Sequence, residues 1–155
     1  MERREFIALL GMAAAAMPTH AGAEPARLDS FAGRLVGTWS FASSVNTRKD
    51  GSTFDRWGAN PSGIFMFDRA GNYAQIIVGS ESKVFGAKTF CAFGTYSVEE
   101  AKKLLVTRIG SSSTPKLNGT VQNRDILTLT ADELKYSNPV TSIGAVAEVV
   151  WKRLA

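Results

Sequence analysis

Arg108 and Arg124 are the side chains of this chain best placed to do chemistry. Each sits in a strand-like apolar run, Arg108 between Val106 and Ile109 and Arg124 two residues before Ile126. A guanidinium turned into an apolar interior is costly unless paired. A ligand carboxylate offers the bidentate partner that fits its fork. Two other readings stand beside this one: an outward arginine in water, or an internal pair with Asp125 or Glu148. Tyr73 and Gln75 share a face with Ile77, mixing polar tips with apolar bodies as ligand pockets do; an outer amphipathic face is the alternative. Trp57 lies in a loop beside Arg56 and Gly58, where a rigid scaffold tends to carry function, and it is expected at a cavity mouth. Tyr96 and Tyr136 add aromatic surface and hydroxyls, with plain core packing as the competing role. The candidate ligand-binding set is therefore Arg108, Arg124, Tyr73, Gln75, Trp57, Tyr96 and Tyr136.

Other chemistry is narrowed by what the chain lacks. It has a single histidine, His20, and a single cysteine, Cys91. Zinc and iron sites draw on several His or Cys ligands, and a Ser-His-Asp or Cys-His arrangement is impossible if His20 is lost with the first residues. The spacing of Asp55, Asp68, Glu81, Asp125 and Glu148 does not suggest a carboxylate pair for acid–base work. No catalytic residue, metal ligand or cofactor site is assigned from the sequence. Cys91, between Phe90 and Ala92, reads as a small buried apolar residue, and no intrachain disulfide can form.

The first residues have the layout of an export signal. Arg3-Arg4 supply a positive end, Phe6 to Met17 form a short apolar core, and Ala21-Gly22-Ala23 fits a cleavage site. That core is far below the ~20 residues of a membrane-spanning helix. Arg3-Arg4-Glu5-Phe6-Ile7 resembles a twin-arginine signal, whose route carries folded proteins; an ordinary secretory signal or an uncleaved tether is the alternative. The expected division is residues 1–23 as signal and 24–155 as one domain, periplasmic or secreted, with no stable membrane span after cleavage. Cleavage would remove His20 and equal charges of each sign, so the formal net charge of +4 persists. The basic residues are scattered rather than gathered into the dense patch of a nucleic-acid binder.

The elements that must position the candidate residues are strands. From Leu35 onward, short apolar or alternating runs are separated by turn residues, the pattern of a sandwich or barrel. Eight strands are expected, at about 35–47, 63–67, 73–78, 92–98, 104–109, 120–130, 134–137 and 146–153. Glu99 to Lys102 turns one hairpin, and Ser111 to Pro115 and Ser142 to Gly144 read as loops. Gly79 to Thr89 has no period and suits a short helix or lid, and Glu24 to Ala32 suits a short helix plugging one end. Short connections favour an eight-stranded antiparallel up-and-down barrel, which closes its own edges. A domain of about 130 residues can bury a core of its own, and a barrel this size holds one small ligand or fills itself with side chains.

Several pieces, in order, carry a family resemblance. They are Leu35-Val36-Gly37-Thr38-Trp39, Asn60-Pro61-Ser62-Gly63, Phe67-Asp68-Arg69-Ala70-Gly71-Asn72-Tyr73 and Phe93-Gly94-Thr95-Tyr96-Ser97-Val98. Gly119-Thr120-Val121-Gln122-Asn123-Arg124, Leu134-Lys135-Tyr136-Ser137-Asn138-Pro139 and Trp151-Lys152-Arg153 complete the set. With these, Leu35 to Arg153 resembles the bacterial lipocalin-like domain family. The resemblance implies a calycin-type eight-stranded barrel with a central cavity, in a family mostly of unknown function. It further implies that Trp39 closes the barrel floor with Arg153 packed across it. Near Thr107-Arg108, where the family often carries a histidine, this chain has none. Relatives on similar barrels bind hydrophobic small molecules, and some related barrels catalyse cyclisations.

The expected function is an exported, monomeric or dimeric protein that binds a small hydrophobic or amphipathic molecule, its acidic head held by Arg108 or Arg124. A cofactor-independent cyclase or isomerase using the barrel as a mould, with Tyr73, Tyr96 or Tyr136 as hydrogen-bond donors, is the enzyme alternative. A filled barrel serving as a structural or interaction domain is the third.

Overall fold

A computed structural model of the 155-residue chain describes residues 29–80, 89–139, 141 and 144–154. The expected signal, the start of the expected plug before Asp29, most of the 79–89 segment, and Ser142-Ile143 lie outside them. A short helix, α1 (Phe31–Leu35), leads into β1 (Gly37–Thr47). Then follow β2 (Thr53–Phe54), β3 (Ser62–Phe67), β4 (Asn72–Val78), β5 (Thr89–Glu99), β6 (Leu104–Ser112), β7 (Val121–Leu129), β8 (Glu133–Asn138) and β9 (Val146–Leu154). Eight of these strands pair with their chain neighbours, all antiparallel. β9 returns to β1 through a register running from Thr38↔Leu154 to Thr47↔Val146, which closes the barrel. The two-residue β2 is an appendage on the far end of β1, pairing Asn46 with Phe54.

The alternation of strand side chains decides what goes inside. β4 turns Tyr73, Gln75 and Ile77 inward, β6 Leu105, Thr107 and Ile109, and β9 Ala147, Val149 and Trp151. Three bulges shift the register, between Phe41 and Ser43, Phe93 and Gly94, and Ile126 and Thr128. The last lets β7 bury Leu129 after Arg124 and Ile126, two residues of one parity and one of the other.

The interior is divided. Its closed end packs Leu35, Trp39, Phe65, Leu105, Leu134 and Trp151, all with no solvent exposure. Phe65 and Trp151 lie 5.2 Å apart between ring centroids, and Phe65 and Phe67 4.2 Å apart. Burying such side chains contributes about 1.5–3 kcal/mol each. α1 caps this end, its first turn stapled by Ser30, whose Oγ accepts from the Gly33 amide at 2.9 Å. The Trp39 indole donates to the Leu35 carbonyl at 2.9 Å, and the Arg153 guanidinium lies 4.0 Å from its ring centroid. Gly37 is glycine for a reason: its φ is +133° and an added Cβ would stand 2.6 Å from Arg153 Nη1. The Gly-x-Trp opening is thus a floor device, as the resemblance implied.

Three expectations change. The first strand starts at Gly37 rather than Leu35, because Leu35 is the last residue of the helix Phe31–Leu35. Ser111 and Ser112 are strand, paired with Phe93 and Ala92 beyond the bulge, so the polar loop shrinks to Ser113–Thr114 before a 3-10 turn at Pro115–Leu117. Cys91 is only partly buried, on the outer face opposite Ile76.

Candidate functional site

The other end of the barrel holds a cavity of about 90 Å³. One buried water takes roughly 10–15 Å³ of such space, so there is room for several waters or a small ligand's head. β1 contributes Ser44 and Asn46, β4 contributes Gln75 and Ile77, and β5 contributes Phe90. β7 contributes Gln122 and Arg124, β8 contributes Tyr136, and β9 contributes Ala147 and Val149. Arg56 and Trp57 arrive from the loop after β2. No acidic side chain is among the described residues lining it.

Arg124 is the centre of the arrangement. It is 3% exposed and lies 5.4 Å from the Tyr136 ring centroid. Its Nη1 donates to the Thr107 hydroxyl, and its Nη2 to Gln122 Oε1 at 2.8 Å. Its Nε has no partner. Neutral acceptors therefore hold a cation that no carboxylate among the described residues neutralises. The ion pairs of those residues lie on the outside: Glu99 with Lys102, Glu148 with Lys135 and Glu133 with Lys152. Glu148 is thereby committed elsewhere and Asp125 is exposed, which removes the internal pairing weighed from the sequence.

Beneath the cavity a small polar network ties the walls. Trp151 Nε1 donates to the Tyr136 hydroxyl at 3.3 Å, and Gln75 Nε2 reaches the same oxygen at 3.5 Å. Gln75 is 4% exposed and its Oε1 has no partner. Tyr73 does not line the cavity. Its buried hydroxyl makes no hydrogen bond of ordinary geometry, though Thr107 and Arg124 are near enough to favour its ionised form; desolvation outweighs both and raises its pKa. Trp57 is buried at the mouth, its amide donating to Asp55 Oδ1 at 2.8 Å and its carbonyl accepting from Ser80 at 3.1 Å. Arg56 stacks 4.8 Å from the Trp57 centroid, and burial lowers its pKa.

Of the seven sequence candidates, the fold gathers Arg124, Gln75, Tyr136 and Trp57 around one cavity and sets Tyr73 just beneath. Arg108 and Tyr96 do not belong. Arg108 is exposed on the outer face of β6, because its neighbours Thr107 and Ile109 take the inward positions. Tyr96 sits at the closed end, edge-on to Phe67 with its hydroxyl donating to the Asp68 carbonyl at 2.8 Å. Burial, and then the Asp68 carboxylate, push its pKa up to about 12. The sequence reading missed Asn46, Gln122, Arg56 and Phe90. Gln122 was legible, two residues before Arg124 on the same strand face; Asn46 was not, because the bulge after Phe41 resets the parity of β1. The described residues hold no group of three or more His, Cys, Asp or Glu able to bind a metal ion. They also form no helix long and apolar enough to cross a membrane.

No family model and no curated protein matches the chain. Among solved structures it is similar to a redesigned β-barrel at 18% identity, covering 80% of this chain and 95% of that one with a TM-score of 0.48. It is also similar to a lipocalin-like protein from Bacteroides uniformis at 14% identity, covering 79% and 100%, TM-score 0.48. A redesigned β-barrel bound to DFHBI is 18% identical over 79% of this chain and 97% of that one, TM-score 0.44. The closed circuit of eight antiparallel strands, with a helix and a Trp–Arg pair at its floor, gives this chain a lipocalin-like fold.

Proposed function

We propose that this protein is an exported, periplasmic or secreted, carrier of a small amphipathic molecule with an acidic head, bound at the open end of the barrel against Arg124. The observation that carries the reading is the buried guanidinium: 3% exposed, without a carboxylate partner among the described residues, and with its Nε unused. A buried cation left in this state is costly, and an anionic ligand relieves the cost. Trp57 and Phe90 at the mouth offer apolar surface to the rest of the ligand. The cavity's size favours a compact acid over a long acyl chain. The filled-barrel alternative describes the closed half of the molecule; the open half is where the polar groups and the space are.

Calorimetry with phenylacetate and its neutral isostere phenylacetamide tests this. The acid is expected to bind at least about tenfold tighter, and Arg124→Met to erase the difference, since truncating one partner of a buried charge pair costs roughly 2–5 kcal/mol. Equal affinity for acid and amide in the wild type would remove Arg124 from the account. Native mass spectrometry of the protein purified from its own host would identify the resident acid directly.

A further inference from the structure

The open cavity is asymmetric in what it leaves unmade, and that asymmetry bears on the ligand's chemistry. Arg124 Nε is a donor without an acceptor, and Gln75 Oε1 is an acceptor without a donor. Both belong to side chains at least nine-tenths buried that line the same cavity. The orientation of Gln75 follows from Tyr136, whose hydroxyl oxygen receives Trp151 Nε1 at 3.3 Å and Gln75 Nε2 at 3.5 Å. With its NH₂ turned to the tyrosine, the glutamine has its carbonyl oxygen left over. A bare carboxylate would satisfy Arg124 but set its own lone pairs against that oxygen, leaving a buried acceptor unpaired.

The geometry points to a ligand whose head is a carboxylate with a hydroxyl or N–H on the adjacent carbon: a 2-hydroxy acid or an N-acylated amino acid. The carboxylate meets Arg124 and the neighbouring O–H or N–H donates to Gln75 Oε1. Both atoms are shielded from bulk water. This assignment rests on the anionic-ligand reading above and narrows it. It also gives Gln75 a specificity role distinct from that of Arg124, which recognises charge alone.

The test compares mandelate, each enantiomer separately, with phenylacetate, which lacks only the hydroxyl. One enantiomer of mandelate is expected to bind wild-type protein about tenfold or more tightly than phenylacetate, because a site built to hydrogen-bond a hydroxyl disfavours the analogue without it. In Gln75→Leu the preference should vanish, mandelate and phenylacetate binding with equal affinity. The wild-type comparison stands whether or not that variant folds. Equal binding of mandelate and phenylacetate overturns the assignment and leaves the Arg124 reading intact. In that case the tyrosine hydroxyl donates to Gln75 and the amide turns its NH₂ to the cavity, two donors for a plain carboxylate. Failure of both acids to bind overturns the anionic reading and this assignment together.

Discussion

Arg153 and Arg124 are the same residue type, each beside an aromatic ring inside one barrel, and they have opposite states of completion. Arg153, at the closed end, donates from Nε to the Ala131 carbonyl at 2.5 Å, from Nη1 to Val36 at 3.0 Å and from Nη2 to Arg34 at 2.5 Å, above the Trp39 ring. Its partners are backbone carbonyls, which cannot move away without unmaking α1 and the turn before β8. Arg124, at the open end, is held by the side chains of Thr107 and Gln122, and one nitrogen is idle. The first arrangement uses a cation to fasten chain segments that would otherwise diverge. The second keeps a cation desolvated and under-used, a state that costs stability as long as the guanidinium lacks a charged partner. On the function proposed above, stability belongs to the closed half of the barrel and recognition to the open half.

The largest way to break that division is Trp39→Ala. The indole is wholly buried, donates to Leu35 and receives Arg153, so its removal is expected to cost about 3–5 kcal/mol in urea denaturation. A loss below about 1 kcal/mol would deny the closed end its structural role. The two arginines then give the sharpest contrast, because matched substitutions should move stability in opposite directions. Arg153→Met strands three carbonyl contacts and is expected to destabilise by about 1–3 kcal/mol. Arg124→Met removes an uncompensated buried charge and is expected to stabilise the ligand-free protein by roughly 1–2 kcal/mol while abolishing acid binding. Denaturant midpoints for the pair measured side by side decide it; a shared sign would mean that Arg124 also serves the fold.

Much of this division was legible in the residues, and the exceptions have local causes. The strand ladder could be read because turn chemistry at Asp50-Gly51, Asp68 to Asn72 and Ala131 to Glu133 punctuates the runs, and β4 shows its inward face by simple alternation. The floor was legible through Gly37 and Trp39, residues whose roles need no knowledge of ligand. The site was harder. Arg108 and Arg124 look alike in sequence, each among apolar neighbours, and parity alone separates them: Thr107 takes the inward position on β6, while on β7 the arginine itself does. Parity in turn depends on bulges, and no residue type near Phe41, Gly94 or Leu127 announces one without the partner strand. Gly94 comes nearest, since an added Cβ would lie 2.0 Å from the Arg108 carbonyl oxygen. Trp57 lines the cavity from its loop; its burial comes from the Gly79-Ser80 backbone folding against it, a contact across more than twenty residues.

Tyr96 gives the smallest and most selective of these expected effects, because it tests which half of the molecule a residue belongs to. Read from sequence as a pocket residue, it lies at the closed end with its pKa raised to about 12 by burial and the Asp68 carboxylate. An unfolded tyrosine ionises near pH 10. Between those values the folded state keeps a proton that the unfolded state has lost, so stability is fully present below pH 10 and declines as pH rises towards 12. The decline from pH 9 to pH 11 should be about 1 kcal/mol for this residue, and Tyr96→Phe should remove that share of the slope. Absorbance titration of the phenolate locates the same event without denaturant. Saturation with phenylacetate should leave the Tyr96 transition where it was, because the proposed acid site is at the other end of the barrel. A ligand-induced shift would couple floor to mouth and dissolve the separation between fastening and recognition that the two arginines define.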